Sequence, residues 1–374
     1  MRRVARWLPW MAYCAIVVAA GLEVAVRLLM PQVLPIDAPQ IYRPDDAIGW
    51  RRNGSVRALA NTGDRDVLVC TDARGDRISC AVPHPPGCTQ RILVVGDSFV
   101  EALAVPFDDT AWARLERDTG ACVDVAGVGG YEPSQYLQLL RERLRDGATR
   151  YDVIVASMFV GNDFVADPER LPPPQSVWEQ PVQLLPDGVN AAALVRWLHP
   201  YDQWIESRSH AYVALRFAIR TWRDPGDVGI YGLPLALVSD RLTGDMLDGT
   251  VQAFALMAGE AARVDAAFIV TIVPVPVQVL DASGVKLRRT FPALATTIDM
   301  DLVQKAFVPR LTRVPAIAAV VDLLPVLRAH ATPDFWGARD QHLSPRGHEA
   351  WFAVLRPAVR AALALPVAQP LVPQ

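Results

Sequence analysis

Three short groups of residues, far apart in the chain, hold the parts of an acyl-transfer site. Gly96-Asp97-Ser98 supplies a hydroxyl, Gly161-Asn162-Asp163 an amide, and Asp340-Gln341-His342 a carboxylate and an imidazole. A serine hydroxyl attacks an ester carbonyl only when a base takes its proton. That base needs an orienting group, and the tetrahedral oxyanion needs hydrogen-bond donors. A Gly-Asp-Ser turn alone is a weak signal; the three groups in this order are a strong one.

Each group follows or precedes an element that can hold it. Ile92-Leu-Val-Val95 reads as a short buried strand that runs into the serine turn. Open α/β sheets present reactive groups at such strand ends, and the next helix offers backbone N–H groups to an anion. Tyr151–Ser157 reads as a second strand leading to Asn162. From Ile92 onward strand and helix alternate, which predicts an α/β fold: a doubly wound, mainly parallel, five-stranded sheet flanked by helices. The strands are predicted over 92–96, 123–127, 152–157, 266–273 and 318–322. Helices fit 110–119, 133–146, 244–263, 299–312 and 346–363. Residues 32–50 read as a linker and 51–88 as short β segments added to the sheet. The main domain then covers 89–363, with an insertion over about 164–243, and 364–374 is a proline-rich tail.

The serine, asparagine and histidine groups resemble those of the SGNH, or GDSL-type, hydrolase family over roughly Ile92–Ala362. The resemblance implies a flavodoxin-like fold and esterase activity with no metal or organic cofactor. It implies Ser98 as nucleophile, His342 as general base and Asp340 as its orienting partner. It implies an oxyanion hole from the N–H of Ser98, the N–H of Gly130 in Gly127-Val-Gly-Gly130, and the amide of Asn162. The commonest family spacing is Asp-x-x-His, and Arg339 stands three before His342. The Asp-x-His pattern here resembles that of some membrane-anchored and polysaccharide-modifying relatives.

Plainer roles exist for every one of these residues. Ser98 could be a helix N-cap, Asn162 a left-handed turn residue, and Gly127, Gly129 and Gly130 turn glycines. Asp97 reads as a local turn carboxylate. No Lys-Ser/Thr follows the glycines, so a Walker-type phosphate loop is excluded. Of the six histidines, His84, His199, His210 and His330 lack a carboxylate in a strand-end setting, and His348 reads as a packing or capping residue in the last helix.

The N-terminus carries the second clear pattern. Arg2, Arg3 and Arg6 precede an uncharged run, Trp7 to Leu22, with Glu23 and Arg27 interrupting its continuation to Met30. A basic head before an apolar run predicts a single anchor in the inner membrane through residues 7–30, with the catalytic domain exported. A cleaved signal peptide and a buried helix of a cytosolic arylesterase are the alternatives. Cysteine usage fits export. Cys70 and Cys80 flank a hairpin tip, Thr71–Asp76, and Cys88 and Cys122 precede neighbouring parallel strands. Disulfides Cys70–Cys80 and Cys88–Cys122 are predicted, against four buried free thiols. No Cys-x-x-Cys pair exists, and His84 stands alone, so zinc is not expected.

The 374 residues are 51% hydrophobic with mean hydropathy +0.18, high for a soluble protein. A net charge of −3, from 37 Lys and Arg against 40 Asp and Glu, opposes a nucleic-acid partner. The insertion holds Trp178, Trp197, Trp204, Trp222, Tyr201, Tyr212 and Tyr231, which could stack on sugar rings or form a small core of their own. The whole pattern predicts an esterase acting on small acyl groups, acetyl first, of an envelope glycan or another small ester. An O-acyltransferase, or a glycan-binding scaffold of an envelope polysaccharide-modifying complex, are the other classes.

Overall fold

The computed structural model describes residues 8–32, 34, 39–82, 84, 87–145, 147, 149–172, 204–205, 207–223, 235–338, 340 and 342–364. Ten strands occur among them: β1 Tyr42–Asp45, β2 Gly49–Arg52, β3 Arg57–Ala60, β4 Val67–Thr71, β5 Arg77–Ile78, β6 Arg91–Val95, β7 Cys122–Val125, β8 Val153–Phe159, β9 Ala267–Val273 and β10 Ile317–Asp322. Seven helices bear on the site or its support: α1 Leu8–Leu29, α2 Ser98–Glu101, α3 Ala111–Thr119, α4 Pro133–Arg145, α5 His210–Arg223, α6 Gly244–Ala262 and α7 Pro345–Ala362.

Strands β3 to β10 form one sheet in the order β10-β9-β8-β6-β7-β5-β4-β3. The first five run parallel, as the alternation predicts, and β5, β4 and β3 extend the sheet antiparallel. Every residue of β8 is buried, the signature of a parallel strand covered on both faces. Helix α4 packs on α6, and α7 packs on α3 and against β9 and β10. In the second pair Trp112 and Trp351 meet edge to face with centroids 4.7 Å apart. Their indole N–H groups donate to Val100 O and Thr271 Oγ1, both at 2.9 Å, so neither buried ring leaves a polar atom stranded.

The predicted helix over 299–312 divides into Leu302–Ala306 and Val308–Leu311. Pro309 lacks the N–H that would continue the first helix and sits instead in the first turn of the second. The stretch expected as a linker also folds. Residues 42–52 form the β1–β2 hairpin, whose turn is held by Asp45 Oδ1 accepting from the Ala47 and Ile48 N–H groups. Ile41, Ile48 and Trp50 anchor it by burial. The disulfides pair Cys70 with Cys80 and Cys88 with Cys122, with Cα atoms 5.3 and 5.8 Å apart. His84 does not stand alone: its ring nitrogens meet Glu116 at 2.9 Å and Asp124 at 3.3 Å beside the second disulfide.

The expectation of a spanning anchor falls on α1 and on residues 1–7, which lie outside the described residues. Among the described residues no helix is long and apolar enough to cross a membrane. Helix α1 spends its two charges on a protein contact. Glu23 pairs with Arg27 and accepts from Ser209 Oγ and from the His210 and Ala211 N–H groups at the start of α5. A carboxylate at a helix N-terminus is favoured by the helix dipole. Desolvation opposes the charge, but these donors lower the Glu23 pKa to about 2. Trp178, Trp197, Tyr201 and Tyr231 lie outside the described residues, as does the tail from 365. Trp204 is exposed, with the Arg208 guanidinium over its ring.

His348 packs and caps, as the sequence suggests. It is buried, stacks on Trp351, and its Nδ1 accepts from the Ala111 N–H at the start of α3. Burial, with the Arg77 and Arg114 charges, lowers its pKa from 6.5 to about 3. The unfolded chain takes up a proton that the folded chain does not, so stability falls as pH drops from 6.5 toward 3, by up to about 5 kcal/mol. A His348→Gln variant, which cannot charge, is expected to show a shallower fall in Tm between pH 6.5 and 4.5 than the wild type. Equal slopes would refute the assignment.

Candidate active site

The site lies at the C-terminal edge of the parallel strands. β6 ends at Val95, and Gly96 turns the chain into α2. A side chain at Gly96 would collide with Val100 at 2.4 Å, so the turn requires glycine. The N-cap of α2 is Asp97, whose Oδ1 accepts from the Phe99 N–H at 2.9 Å. The capping role is therefore taken, and the Ser98 hydroxyl is left for other work.

That hydroxyl meets His342. The distance from His342 Nε2 to Ser98 Oγ is 2.8 Å, and from Nδ1 to Asp340 Oδ1 it is 2.9 Å. The Phe99 ring stands 4.8 Å from the imidazole and stacks on Phe159, fixing the ring plane. Burial pulls the His342 pKa down, but the Asp340 carboxylate, with Asp97 and Glu101 beyond it, raises it above 6.5. The short Asp-x-His spacing works because the segment is a tight loop. Trp336 bridges Leu343, the Gly337 N–H donates to His342 O at 2.8 Å, and the Asp340 N–H donates to Asp64 Oδ2 at 2.9 Å. Asp64 also fills the space a side chain at Gly337 would need.

The expected oxyanion donors sit on the same edge. Ser98 begins α2, Gly130 follows β7 with φ of +77°, and Asn162 follows β8 on an exposed turn. Among the described residues, the Ser98 and Gly130 N–H groups and the Asn162 amide have no protein acceptor. Gly129 lies against the nucleophile: a Cβ built there would stand 3.8 Å from Ser98 Cβ. Asp163 turns inward, where Tyr136 Oη donates to it at 2.9 Å and the Phe159 N–H at 2.7 Å. Burial raises the pKa of both Asp97, to about 6, and Asp163, whose neighbour Asp97 adds to the shift.

Several supporting residues carry no advance signal. Glu101, one turn after Ser98, accepts from Tyr42 Oη and the Gly129 N–H, both at 2.8 Å. Its place at the i+3 position on the serine helix is the one clue the sequence holds. The fully buried Arg77 donates to the carbonyls of Glu101, Ala102 and Val105, the unsatisfied end of α2. Asp64 and Arg77 have no local pattern that marks them.

No protein-family model matches the chain, and no curated protein does. Solved structures resemble it at low identity. A GDSL-like lipase from Bacteroides thetaiotaomicron is 14% identical, over 76% of this chain and 94% of its own, with a TM-score of 0.36. An alpha/beta hydrolase enzyme from the metagenome of Lake Arreo, Spain, is 11% identical over 75% and 98%, with a TM-score of 0.37. A two-domain esterase active on acetylated mannans is 9% identical over 76% and 52%, with a TM-score of 0.34. Likenesses this distant carry no chemistry; the geometry above does.

The acid limb of any Ser98-dependent rate reports His342, which must be neutral to accept a proton. With its pKa raised, the rate is expected to fall as pH drops through a midpoint above 6.5. In Asp340→Asn the largest raising charge is gone while burial remains, so the midpoint should move down. A pH–rate profile of both proteins checks this, and an unmoved midpoint would detach Asp340 from His342.

Proposed function

We propose that this chain is a serine-dependent ester hydrolase of the SGNH type that works through an acyl-enzyme. The observation that carries the reading is the continuous hydrogen-bonded line Ser98 Oγ–His342 Nε2, His342 Nδ1–Asp340 Oδ1. His342 takes the hydroxyl proton as Oγ bonds to the ester carbonyl carbon. The negative charge moves to the carbonyl oxygen, which accepts from the Ser98 and Gly130 N–H groups and the Asn162 amide, donors without a protein acceptor among the described residues. The imidazolium, held by Asp340, then protonates the leaving alkoxide. Water, deprotonated by the same imidazole, releases the acid and restores Ser98.

The substrate in this reading is a small O-acyl ester, acetyl first, on a carbohydrate of the cell envelope. The two disulfides support an exported catalytic domain, since such bonds persist in oxidising compartments. Exposed apolar side chains of α1, among them Trp10, Ile16, Val18, Leu22 and Leu28, support attachment to a membrane.

The test is hydrolysis of p-nitrophenyl acetate by the full chain. Ser98→Ala is expected to lose at least about 10⁴-fold in kcat and to form no acyl adduct by mass spectrometry. Asn162→Ala should lose roughly 10²–10³-fold with little change in KM. Equal rates in wild type and Ser98→Ala would put a glycan-binding or scaffold role in the enzyme's place. Export has its own check: thiol alkylation of protein taken from cells should label Cys14 alone until a reductant is added. Labelling of five cysteines without reductant would refute it.

A further inference from the structure

The Gly129–Gly130 peptide is gripped from the N-terminal hairpin. The Trp50 indole N–H donates to Gly129 O at 3.0 Å. The same ring lies against Gly130, whose added Cβ would stand 3.2 Å from Trp50 Cζ2. The preceding peptide is held from the other side, where the Gly129 N–H donates to the buried Glu101 carboxylate at 2.8 Å and Tyr42 Oη donates to that carboxylate. Trp50 is itself fixed, because Tyr131 Oη donates to its carbonyl and its ring meets the Tyr131 ring at 5.6 Å.

A trans peptide is planar, with its C=O and N–H pointing in opposite directions. Fixing the Gly129 carbonyl therefore fixes the direction of the Gly130 N–H. A donor on the carbonyl also polarises the amide and makes its N–H a stronger donor. Gly130, with φ of +77°, has no side chain to hold this orientation for it.

We propose that Trp50 is a positioning residue for the reaction: its indole N–H aims and polarises the Gly130 N–H toward the developing oxyanion, while Glu101 holds the peptide before it. The β1–β2 hairpin is then part of the catalytic machinery, although it supplies no reacting group. This rests on the esterase reading above.

Trp50→Phe tests it, since the ring packing remains and only the indole donor is lost. With p-nitrophenyl acetate and the full chain, kcat is expected to fall about 10-fold with KM unchanged, short of the roughly 10²–10³-fold cost of losing a whole oxyanion donor. Inactivation by an alkyl phosphonate, whose P–O⁻ occupies the same hole, should slow in parallel. The acid limb of the pH profile should stay where it is, because His342 is untouched. Tyr42→Phe, which removes one hydrogen bond from Glu101, should lower kcat a few-fold in the same pattern and serves if Trp50→Phe fails to fold. Wild-type kcat and inactivation rates in both variants, with Ser98→Ala dead, would overturn the role of Trp50 alone. A shifted acid limb would also overturn it, by placing the defect at the base. A fully active Ser98→Ala would instead overturn the esterase reading.

Discussion

One hydrogen bond organises this molecule: His342 Nε2 to Ser98 Oγ, between residues 244 apart in sequence. Neither partner reaches the other by local structure. Ser98 must stand at the end of a strand in the middle of the sheet, and His342 must come down from a loop before the last helix. Helix α7 sets the height of that loop by packing Trp351 on Trp112 and His348 on the start of α3. The core beneath the serine is a set of strands with no exposed residue, so the turn above it has a rigid floor.

Holding the two ends at 2.8 Å is the work of the N-terminal third. Arg77 caps the C-terminal carbonyls of α2, Asp64 takes the N–H of Asp340, and Glu101 joins α2 to the glycine loop. Burying such charges is costly unless they are paired and hydrogen-bonded. Arg77 illustrates the compromise. Burial lowers its pKa to about 10, which leaves it cationic at neutral pH and able to donate to three carbonyls. The β3–β5 segment therefore braces α2 and the loop of His342, and the β1–β2 hairpin braces the glycine loop.

The N-terminal helix combines an apolar composition with one charged contact to the rest of the chain. An apolar run behind three arginines reads as an anchor. Late in that helix Glu23 pairs with Arg27 and accepts from the His210 and Ala211 N–H groups at the N-terminus of α5. The remaining apolar surface of α1 stays exposed.

The sequence by itself determined the parallel sheet, because short apolar runs alternate with helical segments from Ile92 onward. It determined the serine turn, because the apolar run Ile92–Val95 ends in Gly96-Asp97-Ser98, and it pointed to both cysteine pairs through the hairpin tip and the neighbouring strand starts. It also ranked Ser98, Asn162 and His342 together. It could not decide between capping and nucleophilic roles for Ser98, nor show that Asp-x-His spans the distance a carboxylate must cover. Those questions turn on which side chain takes the cap and on a loop bent around Asp64. Trp50, Tyr42, Asp64 and Arg77 reach the site only through folding. Their roles depend on contacts between segments 24 to 276 residues apart, and no local periodicity encodes such contacts.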